Sequence, residues 1–410
     1  MRVLFVHKFF PGQFLHLARA LAADPANEVV FVHAEGDGEI PGVRKVRTGP
    51  TRAVAASTHH YLQGFETAVL LGQATYRACA GLRENGFRPD VIYAHAGFGP
   101  GLYLKDVFPD APLLGYFEWY YRAHGADADF LDSRMEPDEA LRIRTRNACI
   151  LLELANCDRG VCPTAFQRDQ FPVELRGKLT VLHDGVDMSG FARHDAPQDI
   201  DGILADAEIV TYATRGLEPY RGFPQFMEAI GLLQKRRPKL HAVIVGADQT
   251  YYGRPAAGGG GHKDAVLASL PDLDRSRLHF RGFLAPAEYR AVLRHSHVHV
   301  YLTVPFVLSW SLLDAMAAGC AIVGSDTAPV REVMRHGETG LLADMRQPGR
   351  IADAIARLLD DRGLALRLGS AAQRTVAERY ALTRLLPMQM RLLRALVRRG
   401  DIPRLRLEAS

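Results

Sequence analysis

The sequence contains little cysteine, and none of it is arranged for a disulfide framework or a zinc site. Five cysteines occur in 410 residues, and no two of them form a C-x-x-C pair. The closest two, Cys157 and Cys162, have four residues between them. An odd number of scattered cysteines predicts reduced thiols in a cytosolic protein.

Long apolar runs and a strong net charge are also missing. No uninterrupted apolar run reaches the ~18 residues that a membrane-spanning helix requires. The opening MRVLFVHKFF has too short an apolar run for a secretory signal, and it predicts a strand instead. A net charge of +4 with 23% charged residues gives no indication of a nucleic-acid partner, and we expect none.

Two further ligand signatures are absent. The turn after the first predicted strand, KFFPGQF, has one glycine, Gly12, where dinucleotide-binding folds carry G-x-G-x-x-G. This argues against a nicotinamide-dependent oxidoreductase. His59 and His60 are adjacent in a stretch, 51–85, that we predict to be helical, so their rings should point to different faces. We expect no metal site there.

What is present is an alternation of strand-like and helix-like patterns that runs through the chain twice. Apolar runs such as 2–7 and 90–95 predict buried strands, and the pattern restarts at 208–214 after a polar segment. The alternation predicts an α/β fold of two doubly wound parallel-sheet domains. We expect a first domain over 1–187, a linker over 188–206, a second domain over 207–375 and a carboxy-terminal helix over 376–410 that packs back toward the first domain.

The most informative stretch is 298–326, VHVYLTVPFVLSWSLLDAMAAGCAIVGSD. It predicts a strand, a turn broken by Pro305, a helix with Ser309 and Ser311 as candidate N-caps, and a second strand after Gly319. Such a turn points backbone amides beyond the strand ends, where they can bind phosphate. Asp314 then lies one turn into the helix, within reach of a ribose. The alternative is a plain crossover in which Asp314 favours the helix dipole.

Polar residues also follow two strands of the first half. His95 ends one predicted strand and Glu118 follows the next, just before the aromatic run 119–121. With Gly12, they would share one wall of a ligand crevice if their strands are neighbours. The alternatives are a hydrogen-bonded, half-buried His95 and aromatic packing beneath a loop.

Three further segments carry local predictions, and two of them leave more than one interpretation open. The loop 248–261, with AAGGGG, predicts either a lid or a disordered segment. Residues 138–156 predict an amphipathic helix whose apolar side includes Leu141 and Leu151. Pro387 suits the first turn of a final helix that is followed by a basic tail. That tail is either a solvated face or a contact with anionic lipid head groups.

Five segments of the sequence resemble the retaining nucleotide-sugar glycosyltransferases of family 4, which have the GT-B fold. They occur in the order of the family's motifs: HDGVD (183–187), ATRGLEPYRGF (213–223), HFRGFL (279–284), VPFVLSWSLLDAMAAGCAIVGSD (304–326) and GETGLL (337–342). The resemblance implies two Rossmann-like domains that face a cleft. It also implies transfer of a sugar from a nucleoside-diphosphate sugar to an acceptor hydroxyl, without a cofactor or a metal.

The resemblance implies specific donor contacts. Arg215 and Arg221 match the basic pair that holds the donor diphosphate. The amides near Ser309 and Trp310 match the phosphate-binding turn, and Gly12 matches the glycine beside the donor sugar. Further donor-binding positions implied by the matching motifs are Gly246, Gly282, Phe283, Phe306, Leu308 and Asp314, the last of which matches a ribose-binding glutamate.

Two positions depart from the family pattern. Phe306 replaces a glutamate that binds sugar hydroxyls, and Glu118 stands where a histidine is common, one strand after His95. We expect Arg215, Arg221, His95 and Glu118 to be the catalytic residues. Partners would be a nucleotide sugar and a sugar or lipid-linked acceptor, in polysaccharide or glycoconjugate biosynthesis at the inner face of the cytoplasmic membrane. The departures keep a catalytically degenerate nucleotide-sugar-binding protein as the alternative.

Overall fold

The structure is a computed structural model, and it describes residues 1–191, 206–256 and 261–398. The chain forms two compact units. The first consists of Met1–Gly185 together with the segment that starts at Thr383, and the second is Val186–Leu382. Most of the predicted linker, residues 192–205, lies outside the described residues. No helix in the described ranges is long and apolar enough to cross a lipid bilayer.

Strands and helices alternate through both units. The strands of the described residues are β1 (Arg2–Phe9), β2 (Glu28–Glu35), β3 (Val43–Arg47), β4 (Val91–His95), β5 (Leu113–Tyr116), β6 (Arg159–Cys162), β7 (Leu179–Val181), β8 (Glu208–Gly216), β9 (Leu240–Ala247), β10 (Leu278–Gly282), β11 (Val298–Tyr301), β12 (Ile322–Ser325) and β13 (Leu341–Ala343).

The helices lie mostly between consecutive strands. They are α1 (Leu15–Ala22), α2 (Gln63–Glu84), α3 (Leu104–Val107), α4 (Pro137–Asn156), α5 (Ala165–Arg168), α6 (Val173–Arg176), α7 (Phe223–Gln234), α8 (His262–Ser269), α9 (Pro286–His295), α10 (Trp310–Ala317), α11 (Ala328–Val333), α12 (Pro348–Asp360), α13 (Arg362–Arg379) and α14 (Leu382–Val397). Short 3-10 turns occupy Gly12–Phe14, Met188–Phe191, Pro219–Arg221 and Arg275–Arg277.

Each unit contains one parallel sheet. The order in the first is β3-β2-β1-β4-β5-β6-β7, and in the second it is β10-β9-β8-β11-β12-β13. The strand order reverses between β1 and β4 in the first sheet and between β8 and β11 in the second. Crevices at such switch points, beyond the carboxyl ends of the strands, are where open α/β sheets bind ligands. The predicted α/β class with two doubly wound parallel sheets is confirmed.

The first sheet is buried on both faces, as its continuous apolar strands require. Val3 and Phe5 of β1 pack on one side with α1 and α14. Leu4 and Val6 pack on the other side with α2 and α4. The apolar side chains that α14 contributes to this core are Leu385, Met388, Leu392, Leu393 and Leu396.

Four local predictions are wrong: the start of the helix over 51–85, the directions of the His59 and His60 rings, the place of Pro387 in the last helix, and the covered face of α4. The helix predicted over 51–85 begins only at Gln63, so His59 and His60 lie outside it and their rings stack at 4.6 Å between centroids. Pro387 lies inside α14, whose first residue is Leu382. On α4, Leu141 and Leu151 are 54% and 37% exposed. The spacing of the apolar residues predicts that both leucines lie on the buried face of the helix. The rest of the protein covers a narrower part of the helix surface than this spacing suggests.

Candidate functional site

Each switch point carries a cluster of polar side chains. In the first unit, His7 on β1, His95 at the end of β4 and Glu118 after β5 meet beyond the sheet edge. We call these residues, with Gln13, the carboxylate cluster. In the second unit, the loop after β8 and the segment after β11 bring Arg215, Arg221 and the turn 307–309 together. We call these three the arginine cluster.

The carboxylate cluster is held by direct hydrogen bonds. Gln13 Nε2 donates to Glu118 Oε1 at 2.5 Å, and Gln13 Oε1 lies 2.8 Å from His7 Nε2. The His7 and His95 rings are 4.3 Å apart between centroids, and His95 Nε2 lies 3.4 Å from Glu118 Oε2. The side chain of Glu118 keeps 30% of its surface exposed. The structure therefore brings His95, Glu118 and the Gly12 turn together, as the order of the strands requires.

His95 is positioned by the glycine-rich turn that follows it. The Phe98 ring stacks on the His95 ring at 5.2 Å and 21°. The buried carboxyl of Glu153 on α4 accepts from the Gly97 amide at 2.5 Å and from the Gly101 amide at 3.1 Å. Burial raises the pKa of Glu153 to about 7. His95 itself is 2% exposed, and within the described ranges neither of its ring nitrogens makes a hydrogen bond.

Arg221 is the central cation of the second unit. It is 4% exposed, and its Nη1 donates to Thr303 Oγ1 at 2.8 Å and to Val307 O at 3.1 Å. Tyr301 Oη lies 3.4 Å from the same nitrogen. In the described part of the chain, Arg221 makes no salt bridge with a carboxylate. The buried Glu218 carboxylate lies near enough to interact with the charge of Arg221, but no described ion pair joins the two side chains. Burying a guanidinium without an ion pair is costly.

Two neighbouring tyrosines cover the arginines. The Arg215 guanidinium lies 4.2 Å from the Tyr251 ring centre, and the Arg221 guanidinium lies 5.1 Å from the Tyr252 ring centre. Arg215 remains exposed to solvent. Stacking on an aromatic face fixes a guanidinium without neutralising it.

Glu218 anchors the segment that supplies these tyrosines. It is fully buried, and its carboxylate accepts from the backbone amides of Tyr251 at 3.2 Å, Tyr252 at 3.0 Å and Gly253 at 2.9 Å. Part of the loop predicted to be a lid or disordered is therefore tied to the protein. Residues 257–260 of that loop lie outside the described residues.

The turn before α10 begins as predicted, with Ser309 as the N-cap. Two backbone amides of this turn have partners within the protein. The Ser309 amide donates to Tyr301 Oη at 2.9 Å, and the Ser311 amide donates to Ser309 Oγ at 3.3 Å. Leu308 is buried, whereas Trp310 is 49% exposed at the first position of the helix. Tyr301 thus links the start of α10 to Arg221.

Asp314 lies in the second turn of α10 and is half-buried. Burial raises its pKa to about 7, and the charge of Arg290 opposes the shift. Its carboxyl accepts no hydrogen bond from any described residue. Tyr289 lies near enough for the Asp314 charge to raise its pKa, which burial already holds well above the ordinary value. A half-buried carboxyl with a raised pKa and no described donor is unusual.

The remaining predicted donor-binding residues are distributed differently. Phe306 is buried and lies 5.2 Å from the Tyr252 ring and 5.8 Å from the Arg221 guanidinium. Gly246 has a structural reason to be glycine, because a Cβ there would lie 2.6 Å from Thr214 O. Gly282 and the 65% exposed Phe283 follow β10, two strands away from β8. No described hydrogen bond or ring contact joins Phe283 to the arginine cluster.

Sequence reasoning missed the residues that support both clusters. Glu218 lies between Arg215 and Arg221 in the same loop, and Gln13 directly follows Gly12, so their positions were a usable signal. Tyr251 and Tyr252 were hidden in a loop whose glycines suggested flexibility. The described residues contain no group of three or more His, Cys, Asp or Glu side chains that could hold a metal ion.

Two protein-family models match the chain. The model of the glycosyl transferase family 4 group matches residues 25–191, and the model of glycosyl transferases group 1 matches residues 199–375. Together they cover most of the sequence, and they follow one another in the order of the two units. This chain belongs to the group 1 glycosyltransferases. The resemblance inferred from the five sequence segments is confirmed.

Relatives of this glycosyltransferase include enzymes named for inositol-containing acceptors. A D-inositol 3-phosphate glycosyltransferase from Nocardioides sp. is 25% identical over 381 residues, which cover 87% of this chain and 79% of that protein. A phosphatidyl-myo-inositol mannosyltransferase from Mycolicibacterium smegmatis is 29% identical over 184 residues, 44% of this chain. The second match spans 42% of that relative's length.

Solved structures of low sequence identity share the fold of this glycosyltransferase. The sucrose-phosphate synthase of Thermosynechococcus elongatus has a TM-score of 0.72 at 20% identity, and the match covers 98% of this chain and 100% of that one. Anabaena HepE in complex with UDP-glucose has a TM-score of 0.68 at 16% identity, with 96% and 100% covered. Both likenesses support the GT-B fold of two parallel-sheet α/β domains.

Proposed function

We propose that this glycosyltransferase moves a sugar from a nucleoside-diphosphate sugar to an acceptor hydroxyl, with retention of the anomeric configuration. The observation that carries the proposal is Arg221, a buried cation that makes no described ion pair. An anionic ligand beside it would balance the charge. The donor's diphosphate is such an anion, and the switch-point crevice beyond β8 and β11 is the expected place for it.

The arginine cluster would act mainly on the leaving group. As the bond between sugar and diphosphate breaks, negative charge grows on the diphosphate oxygens, and nearby guanidinium groups stabilise it. Arg221 is held in place by neutral oxygens and Arg215 by Tyr251, so little reorganisation is needed during the reaction. Two fixed cations perform the neutralisation that a divalent metal performs in other transferases, so we propose that no metal is required.

The carboxylate cluster would orient the acceptor. Glu118 is partly exposed, and the adjacent His95 has buried ring nitrogens without hydrogen bonds in the described ranges. A ligand hydroxyl that donates to Glu118 and contacts His95 Nε2 would satisfy both. In a retaining reaction the departing diphosphate can take the acceptor proton, so the protein contributes orientation more than base catalysis.

The acceptor class follows from this cluster and from the relatives. Hydroxyl-bearing rings suit a carboxylate and a histidine better than apolar acceptors do. Because relatives are named for D-inositol 3-phosphate and phosphatidyl-myo-inositol, we propose a sugar or cyclic polyol, free or lipid-linked, in glycoconjugate or polysaccharide biosynthesis. The basic carboxy-terminal end would then serve peripheral contact with anionic lipid.

One observation favours a second candidate, a protein that binds a nucleotide sugar without transferring it. Phe306 occupies the position of a sugar-binding glutamate, and its ring packs between Tyr220 at 5.6 Å and Tyr252 at 5.2 Å. No carboxylate from that position can reach the donor sugar. Release of nucleoside diphosphate from a donor, with acceptor or with water, separates the two candidates, because the second predicts binding with no turnover.

The first experiment is a thermal-shift panel with UDP, GDP, ADP and dTDP, each with and without EDTA. We expect one nucleotide to stabilise the protein, since binding at ~100 times Kd adds about 2.7 kcal/mol. EDTA should not change the shift, and Arg215→Ala should reduce it. Arg236→Ala is the matched control, because Arg236 is also exposed but pairs with Asp353 on the surface. A well-folded protein that responds to none of the four would disprove the donor site.

A further inference from the structure

Gln13 and His7 form a chain of hydrogen bonds that ends on Glu118. Gln13 follows Gly12 in the 3-10 turn after β1, and His7 lies on β1 itself. The side-chain amide of a glutamine can be placed in either of two orientations, because its nitrogen and its oxygen are nearly alike in shape. The direction must therefore be deduced from the groups around it.

The backbone amide of Phe9 decides that direction through the His7 ring. The Phe9 amide donates to His7 Nδ1 at 2.7 Å, so this nitrogen must carry a lone pair and not a proton. His7 is then neutral, with its proton on Nε2. Burial and the neighbouring His95 lower the pKa of His7 well below its ordinary value, which agrees with this tautomer. His7 Nε2 donates to Gln13 Oε1, and the amide nitrogen of Gln13 is left to donate to Glu118.

We infer that Gln13 is a positioning residue for the Glu118 carboxylate and that the fixed tautomer of His7 sets the direction of the Gln13 amide. The inference rests on the proposed function, in which Glu118 orients the acceptor hydroxyl. A donor at 2.5 Å holds one carboxylate oxygen and stabilises its negative charge. Rotation of Glu118 is thereby restricted before the acceptor arrives, which is the kind of preorganisation that positioning requires.

Two further features help to hold the members of this chain of hydrogen bonds in place. Gly12 has φ of +51°, and a Cβ at this position would lie 2.7 Å from His7 Nε2, so any side chain would displace the imidazole. Gln167, which is fully buried, donates from Nε2 to the Glu118 backbone carbonyl at 2.7 Å. Glu118 is thus held through its backbone by one glutamine and through its side chain by another.

The chain of hydrogen bonds can be tested by exchanging the two partners. In Gln13→Glu, two carboxylates face each other, and in Glu118→Gln, two amides do. In the double variant the amide at position 118 donates to the carboxylate at position 13, which also accepts from His7. We expect both single variants to lower the melting temperature and the double variant to recover most of the loss. Additive losses would show that the two side chains are not coupled and would overturn the inference.

The positioning role needs a kinetic measurement as well. In Gln13→Leu we expect kcat for donor turnover, with UDP-glucose and GDP-mannose as probes, to fall roughly tenfold to 100-fold while donor KM stays unchanged. The exchanged double variant should remain impaired although its stability recovers. Gln234→Leu is the control, because Gln234 also bridges a backbone amide and a carbonyl, both of Asp274, away from either cluster.

The outcomes separate the two proposals. If wild-type protein releases diphosphate and Gln13→Leu turns over at the same rate as wild type, the positioning role is wrong. If wild-type protein releases diphosphate from no nucleotide sugar, the proposed transfer fails, and the melting temperatures of the two single variants and the double variant still decide whether the hydrogen-bond chain exists.

Discussion

The carboxylate cluster and the arginine cluster occupy equivalent places in two similar sheets, yet their charged side chains differ in how far they are paired with other groups of the protein. In the first unit, hydrogen bonds join His7, Gln13 and Glu118, and the ring nitrogens of His95 make none in the described ranges. In the second unit, Arg221 is buried among neutral oxygens, and Asp314 is half-buried with no described hydrogen-bond donor. The difference indicates one cluster suited to neutral hydroxyls and one that depends on a ligand for balance.

A doubly wound sheet places residues at a switch point but does not choose them. Both clusters lie near the point where the strand order reverses, on the ends of strands and in the loops that follow them. The chemistry then depends on a few side chains in each loop. The contrast between the clusters should therefore respond to single substitutions, with the largest effect where charge is least balanced.

The largest effect is expected from Arg221→Met. Removing the buried guanidinium removes the main charge that faces the diphosphate, so affinity for the stabilising nucleotide should fall about 100-fold, or about 2.7 kcal/mol. Arg221→Lys should lose less, because it keeps the charge but not the planar geometry. Calorimetric titration with UDP and GDP measures both.

Stability gives this prediction its internal check. If burying the Arg221 guanidinium without an anion lowers the stability of the unliganded protein, its removal should cost little stability. The Arg221→Met variant should then unfold at a temperature close to that of the unliganded wild type. Arg236→Met should leave nucleotide affinity unchanged. Equal affinity in wild type and Arg221→Met would mean that the unbalanced cation has no role in binding, and the contrast between the two clusters would lose its functional meaning.

The next effect is expected from Glu118→Gln. The variant keeps the shape of the side chain but cannot accept as strongly from an acceptor hydroxyl, so kcat should fall about 100-fold. Nucleotide affinity should stay within twofold of wild type, since the proposed donor contacts lie in the second unit. Turnover of UDP-glucose and GDP-mannose measures the change in kcat, and the thermal-shift panel measures the change in nucleotide affinity. A variant that loses nucleotide binding and keeps kcat would reverse the roles of the clusters.

The sequence predicted the architecture better than it predicted the clusters. Strands such as β1 and β11 are largely apolar, and α10 begins after Ser309, one of the two expected N-caps. These features depend on local pattern, which sequence reasoning captures well. The start of α2 failed because the polar stretch before Gln63 has the composition of a helix but no core to pack against.

The candidate site was predicted only in outline. The approach of His95 to Glu118 followed from strand order, whereas the hydrogen bonds through Gln13 depend on side-chain geometry that no spacing reveals. Arg221 was expected to contact a diphosphate, but its burial and its bonds to Thr303 and Val307 come from tertiary packing. The use of the Ser309 amide by Tyr301 likewise joins residues from a strand and a turn.

Two carboxyls should respond oppositely to neutral substitution. Folding raises the pKa of both Asp314 and Glu153 to about 7. Between about pH 4 and pH 7 the folded chain therefore holds protons that the unfolded chain has released, so the stability that each protonated carboxyl contributes is full below about pH 4 and is lost as the pH rises through 7. Asp314→Asn should stabilise the protein at pH 8 by on the order of 2 kcal/mol, because no described donor needs its charge.

Glu153→Gln should destabilise the protein by about 1–3 kcal/mol, because an amide nitrogen would then face one of two backbone donors, Gly97 or Gly101. Urea denaturation at pH 5 and pH 8 measures both variants. The gain in Asp314→Asn should shrink at pH 5, where the wild-type carboxyl is already protonated. Stabilisation by both substitutions would mean that burial alone, and not hydrogen bonding, decides how each carboxyl affects the free energy of unfolding.

The smallest effect is expected from the helix caps beside the two clusters. Ser309 caps α10 in the second unit, and Thr164 caps α5 in the first by accepting from the Gln167 amide at 3.1 Å. Replacing either residue by alanine should lower the free energy of unfolding by about 1 kcal/mol. The functional losses should differ, since Ser309→Ala disturbs the turn beside Arg221, whereas Thr164→Ala loosens Gln167 and through it Glu118. We therefore expect weaker nucleotide binding in the first variant and lower kcat in the second, and identical functional profiles would contradict the division of roles between the clusters.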